Sequence, residues 1–213
     1  LKAEGKIKGA APLMGYVGAF TYAEVISGYT SFYLGAKSVC PDVTMKVQFT
    51  GSWYDEMEEK NAAQALIDAG CDLISQHADS MGAPTACENA GIPNVSYNGS
   101  TVKSCPNTFI VASRIDWAPY FKYIVEQTQA GKAIDTDWTG TIATGSVVLT
   151  EVNEKAAAAG TVEKLAEVKA QLENGTLKVF DTAKEGFITV NGAALTSYLA
   201  DVDTDAAFEK DTE

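Results

Sequence analysis

Between residues 15 and 131, short β-rich apolar runs alternate with longer amphipathic stretches. This rhythm belongs to successive βα units and points to a mostly parallel sheet. The predicted strands are Gly15–Phe20, Met45–Thr50, Asp72–Gln76, Asn94–Tyr97 and Thr108–Ala112. Near-continuous Val, Ile, Leu and Phe in several of them fits strands covered on both faces. The expected fold class is therefore α/β, a Rossmann-like, mostly parallel sheet with helices on both faces.

The intervening helices have readable ends. The first, about Tyr22–Lys37, carries Val25, Ile26, Tyr29, Phe32, Tyr33 and Ala36 at helical spacing, and Gly28 and Gly35 on one face predict close packing onto the sheet. A second opens at Asp55 as N-cap, with Glu58 placed to answer it, and closes at Gly70. A third runs from Gly82 to Ala90 and stops at Gly91. A fourth, after Asp116, sets Trp117, Tyr120, Phe121, Ile124 and Val125 on one stripe and ends at Gly131, with Pro119 tolerated in its first turn.

Past residue 132 the texture changes. Thr139–Thr150 predicts two short strands around a Gly turn, and Thr161–Asn174 an amphipathic helix closed by Gly175. Leu177–Phe180 and Phe187–Val190 are β-like, Asn191-Gly192 marks a tight turn, and the acidic last dozen residues are expected to stay solvated.

Charge narrows the partners. Lys plus Arg number 16 against 28 Asp plus Glu, a formal net charge of −12, and no basic segment appears. That balance argues against nucleic acid or an anionic membrane surface as a partner. No apolar run reaches the length of a membrane span. The chain begins at Leu1 without a leader pattern and reads as a processed product or an excised piece. Four cysteines, Cys40, Cys71, Cys87 and Cys105, lack metal-ligand spacing, and free buried thiols are preferred to disulfides.

In an open parallel sheet the informative residues lie just past the carboxyl ends of the strands. Here they are Phe20, Thr21 and Tyr22; Ser52 to Asp55; His77 to Ser80; Asn98 to Ser100; and Arg114 to Trp117. Aromatic faces, amide, carboxylate and imidazole with one strong cation, Arg114, suit a flat heteroaromatic or polyhydroxylated ligand better than a phosphate. Each residue also has a plainer reading. Trp53 and Trp117 can cap apolar sheet ends, Asp55 serves as an N-cap, and His77 is either a ligand donor or a satisfied turn residue. The single histidine excludes a multi-imidazole metal site, and neither metal nor cofactor is expected. There is no GxSxG elbow, Walker loop or GxGxxG after a strand. A Cys87/His77 pair and a His77/Asp79 pair lack a recognisable activating context, so no catalytic residue is assigned and binding is preferred to enzyme activity.

GYVGAF followed by Glu24-Val25-Ile26 and Gly28, then LGAKSVCPDV at 34–43, and TGSWYDEMEEKNAAQALIDAGCDLISQHADS at 50–80, resembles the basic membrane protein family. These are purine-nucleoside-receptor-like substrate-binding lipoproteins of bacterial ABC importers. The resemblance is strong over about residues 15–131 and looser over the helix at 161–174 and the strand after it. It implies one lobe of a type I periplasmic binding protein. Residues 1–131 would form the carboxy-terminal α/β ligand-binding lobe, and 132–213 the hinge-crossing strands, helix and acidic tail. The amino-terminal lobe, absent from this chain, would precede it. A cell-envelope location, periplasmic or outward-facing with a lipid anchor, and ABC permease subunits as partners are implied as well.

Residue by residue, Trp53 falls where the family has an aromatic that stacks on a purine, and Asn98 where many members have an aspartate that holds ribose hydroxyls. An amide lacks the charge-assisted acceptor pair that grips a diol. His77 and Asp79 stand where many members have a small-residue loop and would read a base edge. The expected ligand site is Phe20, Trp53, His77, Asp79, Asn98 and Trp117. The expected function is the solute-binding component of an ABC importer for a purine-like compound, nucleobase or nucleoside. With few cations at the strand ends, a neutral or weakly cationic solute is favoured. The alternative is an intracellular enzyme or sensor domain on a flavodoxin-like sheet, with His77 and Asp79 as acid/base groups.

Overall fold

A computed structural model of the chain describes residues 1–180 and the short strands Thr189–Val190 and Ala193–Ala194. Alternation of strand and helix is realised as β1 (Leu13–Gly18), α1 (Ala23–Val39), β2 (Thr44–Phe49), α2 (Glu56–Asp68), β3 (Leu73–His77), α3 (Gly82–Ala90), β4 (Asn94–Tyr97), β5 (Phe109–Ile115), α4 (Ala118–Gln129), β6 (Val147–Leu149) and α5 (Thr161–Glu173). The sheet has the order β2-β1-β3-β4-β5-β6. All its pairs are parallel except the last, where β6 runs antiparallel along Ser113–Ile115. That pairing explains why β5 extends past the expected Ala112.

The faces of the sheet are set by strand alternation. Val17 and Ile74 turn toward α2 and α3, where Ala63, Leu66, Cys71, Ala83, Ala86, Cys87 and Ile92 complete a buried core. Tyr16 turns the other way, its ring meeting Tyr29 and Phe32 of α1. A smaller core gathers Cys105, Phe109 and Ala112. The central strands are covered on both faces as expected, whereas the edge strand β2 leaves Phe49 41% exposed. All four cysteines are free thiols, three of them buried.

Local chemistry accounts for the departures from expectation. Thr139–Thr150 forms one strand instead of two. Thr141 and Thr144 bond each other and their own backbone, which gives residues 139–146 an alternative to a ladder. Leu177–Phe180 is not a strand; the Leu177 N–H is taken by the Gln171 carbonyl at 3.1 Å, closing the end of α5. Gly28 does pack closely: a Cβ there would lie 3.1 Å from His77 Nδ1 and 3.3 Å from Tyr16 Oη. Gly35, exposed and with nothing within 4 Å of such a Cβ, does not. The fourth helix carries its apolar stripe without burying any of it. Thr189–Val190 (β7) pairs antiparallel with Ala193–Ala194 (β8) on either side of residues 191–192. The rest of the predicted strand from Phe187, and the acidic tail, lie outside the described residues.

Candidate functional site

From β1 the chain passes to β2 on one side and returns to β3 on the other, so the topological switch point lies between β1 and β3. Crevices outside the carboxyl ends of the strands at such a point are where open α/β sheets bind ligands. Phe20 leaves β1 and stacks on Tyr22, with centroids 4.9 Å apart and planes at 21°. Trp53, in the loop after β2, meets Phe20 edge-on at 5.3 Å and Tyr22 at 6.1 Å. His77 ends β3 with its ring 6.0 Å from Trp53 and 4.3 Å from Tyr97, the last residue of β4. A continuous aromatic floor thus runs across the ends of neighbouring strands.

The loops bearing these rings are cross-linked. Asp79 donates its N–H to the Trp53 carbonyl at 2.9 Å, and Ala19 donates to the His77 carbonyl at 3.1 Å. Asp55 caps α2 by accepting from the N–H groups of Met57 and Glu58 at 3.1 and 3.0 Å. The side chain that returns to the Asp55 N–H is Glu59 at 3.2 Å rather than the expected Glu58, because Glu59 faces inward and Glu58 faces solvent. Gly82 lets α3 start against α2: a Cβ there would meet the Glu56 carbonyl oxygen at 2.3 Å and the Lys60 nitrogen at 2.8 Å.

Burial holds the His77 imidazole below its ordinary pKa, with Asp79 pulling the other way. The ring is therefore neutral near pH 7, with one donor and one acceptor nitrogen. Burial, together with the Asp79 and Glu24 carboxylates, pushes the Tyr97 phenol up, and burial does the same to Tyr16. Both hydroxyls stay protonated. Asp79 and Asn98 are exposed at the same end of the sheet, Asn98 in the left-handed region at φ 61°. Arg114 is paired with Asp116 at 3.5 Å. This end of the sheet thus combines flat faces with neutral hydrogen-bonding groups and the Asp79 carboxylate, with Glu24 near enough to act on Tyr97.

The structure brings Phe20, Trp53 and His77 into one ring cluster, with Asp79 and Asn98 on the adjoining loops. Trp117 stands apart, 57% exposed at the N-cap position of α4, in ring contact with Tyr120 and Phe121. Cys87 lies in the core under α3 and receives Asn94 Nδ2, and burial pushes its thiol up to about 12. It is on the face of the sheet opposite Gly28 and His77, so the imagined Cys87/His77 pair does not form. No group of three His, Cys, Asp or Glu among the described residues is placed to hold a metal ion. No helix among them is long and apolar enough to cross a membrane.

Sequence reasoning passed over Tyr97 and Glu59. Tyr97 was missed because only residues beyond each strand were counted. In β4 the polar Asn94 and Ser96 are buried while Val95 and Tyr97 are half-buried, the reverse of what their residue types suggest, so the sequence carried no signal for Tyr97. Glu59 sits on the apolar side of α2 with Ala63 and Leu66, an unusual place for a carboxylate.

The Bmp family, described as ABC transporter substrate-binding protein PnrA-like, matches residues 10–182. A purine-binding protein of Brucella abortus is 40% identical over 109 residues, covering 51% of this chain and 31% of its own length. A Haloferax volcanii protein provisionally named an ABC transporter glucose-binding protein is 34% identical over 139 residues, 65% of this chain and 35% of its own. The chain thus spans about a third of the length of the curated relatives it matches. Among solved structures, an ABC transporter solute-binding protein from Conexibacter woesei superposes with a TM-score of 0.65 at 21% identity, over 82% of this chain and 58% of that one. At that identity the likeness concerns the fold, a type I periplasmic binding protein architecture.

Proposed function

Because the chain belongs to the Bmp family of PnrA-like ABC transporter substrate-binding proteins, we propose that it is the cleft-forming lobe of a solute receptor that delivers a purine-type compound to an importer. One observation carries this reading: Phe20, Tyr22, Trp53, His77 and Tyr97 form an aromatic floor at the switch point of the sheet. A planar heterocycle stacks on Trp53. The neutral His77, the Tyr97 hydroxyl, Asp79 and Asn98 then supply donors and acceptors to its edge. The purine-binding name of the Brucella relative supports this ligand class. The amide at Asn98 favours a nucleobase over a ribonucleoside, since it grips a diol less firmly than a carboxylate.

Within this proposal residues 1–131 form the ligand-binding lobe and residues 132–213 the segments that cross toward a second lobe. The second lobe supplies the other half of the contacts, and closure about the hinge excludes water. The receptor works in the cell envelope, lipid-anchored and facing outward, with permease subunits as its partners. The provisional glucose-binding name of the Haloferax relative favours a second ligand class, because an aromatic floor also accepts the apolar face of a sugar. Titrating the full chain with adenine, guanosine, inosine and D-glucose while following tryptophan emission separates these readings. Adenine is expected to quench at the lowest concentration. A response to the nucleosides without one to adenine overturns the nucleobase preference, and a response to glucose alone overturns the purine reading.

A further inference from the structure

We infer that Glu59 is a positioning residue of this cleft, a buried carboxylate that sets the loop carrying Trp53 against the loop carrying His77 and Asp79. The inference rests on the proposed solute site for its consequence, though not for its geometry. Glu59 has no exposed surface, while its helix neighbours Glu56 and Glu58 are exposed. Among the described residues no lysine, arginine or histidine pairs with it. A carboxylate withdrawn from water without a cation persists only where donors replace the lost hydration. Here the donors are backbone N–H groups from two separate loops: Asp55 at 3.2 Å, and Ser80 at 3.2 and 3.1 Å to the two oxygens.

Those donors sit beside the ligand-facing residues. Asp55 follows Trp53 by two positions, and Ser80 comes directly after Asp79 and three residues after His77. Capping of α2 does not require Glu59, because the Asp55 side chain already serves Met57 and Glu58. Burial pushes the Glu59 carboxyl up, while the Ser80 hydroxyl and the two N–H groups oppose that shift and Asp79 adds to it. Ser80 in turn accepts from the Gly82 N–H at 3.0 Å, which extends the clasp into the start of α3. The offset between the Trp53 face and the His77 and Asp79 edge groups is therefore fixed by this side chain as well as by the strands. Loops at strand ends hold such an offset only when a supporting shell locks them.

The test uses the full chain with Trp117→Phe and Trp138→Phe, which leaves Trp53 as the sole indole of the three. Without any ligand, Glu59→Gln is expected to raise acrylamide quenching of Trp53 about twofold in a chain that remains folded by circular dichroism. With adenine as probe, Glu59→Gln is expected to weaken binding about tenfold, and less than about twofold once Trp53 is replaced by alanine, because the ring it positions is then gone. Equal losses of adenine affinity with and without Trp53, or unchanged quenching in a folded Glu59→Gln chain, reduce Glu59 to a stabilising residue and overturn the inference. If the parent chain ignores adenine, the ligand-free quenching alone decides the role of Glu59. If Glu59→Gln does not fold, Glu59→Asp, which shortens the side chain by one methylene and draws the carboxylate away from the Asp55 and Ser80 N–H groups, replaces it and must produce the same rise in quenching.

Discussion

Phe20, Tyr22, Trp53, His77 and Tyr97 make one group of touching rings; Trp117, Tyr120, Phe121, Tyr123 and Trp138 make another. The first rises from the ends of β1 to β4, on loops tied together through Asp79, Glu59 and Ser80. The second is borne largely by α4, a helix with no buried residue, and leaves Trp117 and Phe121 57% and 59% exposed. Similar aromatic content therefore has different meaning. Where polar groups converge on held rings, a ligand finds both faces and directed hydrogen bonds. Where rings stand on an open helix face, they offer area without orientation.

That contrast can be broken most forcefully at Gly82. Gly82→Ala drives a methyl group into the Glu56 carbonyl and the Lys60 nitrogen, both backbone, and should cost about 3 kcal/mol or more of stability in urea unfolding. A loss under about 1 kcal/mol would mean that α2 and α3 separate easily and the first group is not held. Next in size is ligand affinity. Trp53→Ala should weaken adenine binding about tenfold or more, and Trp117→Ala less than about twofold, as read by titration calorimetry. The reverse order would move the site to α4.

A smaller effect follows from His77. Its folded-state pKa lies below the ordinary 6.5 because burial disfavours the imidazolium. The unfolded chain therefore takes up more protons on acidification than the folded one. Stability from the neutral ring is complete above about pH 6.5 and is lost as pH falls through and below that value. Urea midpoints of the parent and His77→Gln chains should thus diverge between neutral and mildly acidic pH, with the parent falling faster; parallel curves would place the ring in water. Smallest is Phe121→Ser, which removes an exposed ring from the second group and should change stability by no more than about 0.5 kcal/mol in thermal unfolding. A larger loss would give α4 a packing role that its burial does not indicate.

Much of this contrast is legible in the sequence alone. Alternation located every strand from β1 to β5 within a few residues, and Asp55, Gly91 and Gly175 marked helix ends. The rule that residues past strand ends are the informative ones picked out Phe20, Trp53 and His77, which the structure brings into one ring cluster. What escaped was whatever depends on which side of an element meets another. Periodicity put Trp117 and Phe121 on a stripe, but nothing in it says that the structure leaves both of them more than half exposed. Glu58 fitted the capping-box spacing, yet Glu59 does the work from the fourth helical position because the inner face of α2 passes there. Gly28 and Gly35 share a helical face, but only Gly28 approaches His77 and Tyr16. Thr141 and Thr144 look strand-forming, and their hydroxyls prefer the nearby backbone.

Asn98 has a consequence for how such a cleft can diversify. With φ at 61°, it occupies backbone that glycine, asparagine and aspartate tolerate best and that β-branched or bulky residues resist. Substitution at this place is therefore channelled by geometry before any ligand is consulted. An amide and a carboxylate both tolerate that backbone conformation, so the exchange swaps a neutral donor–acceptor for a charged acceptor pair beyond the end of β4. On the proposed reading of the site, a single such exchange changes the polar chemistry that residue 98 offers a solute.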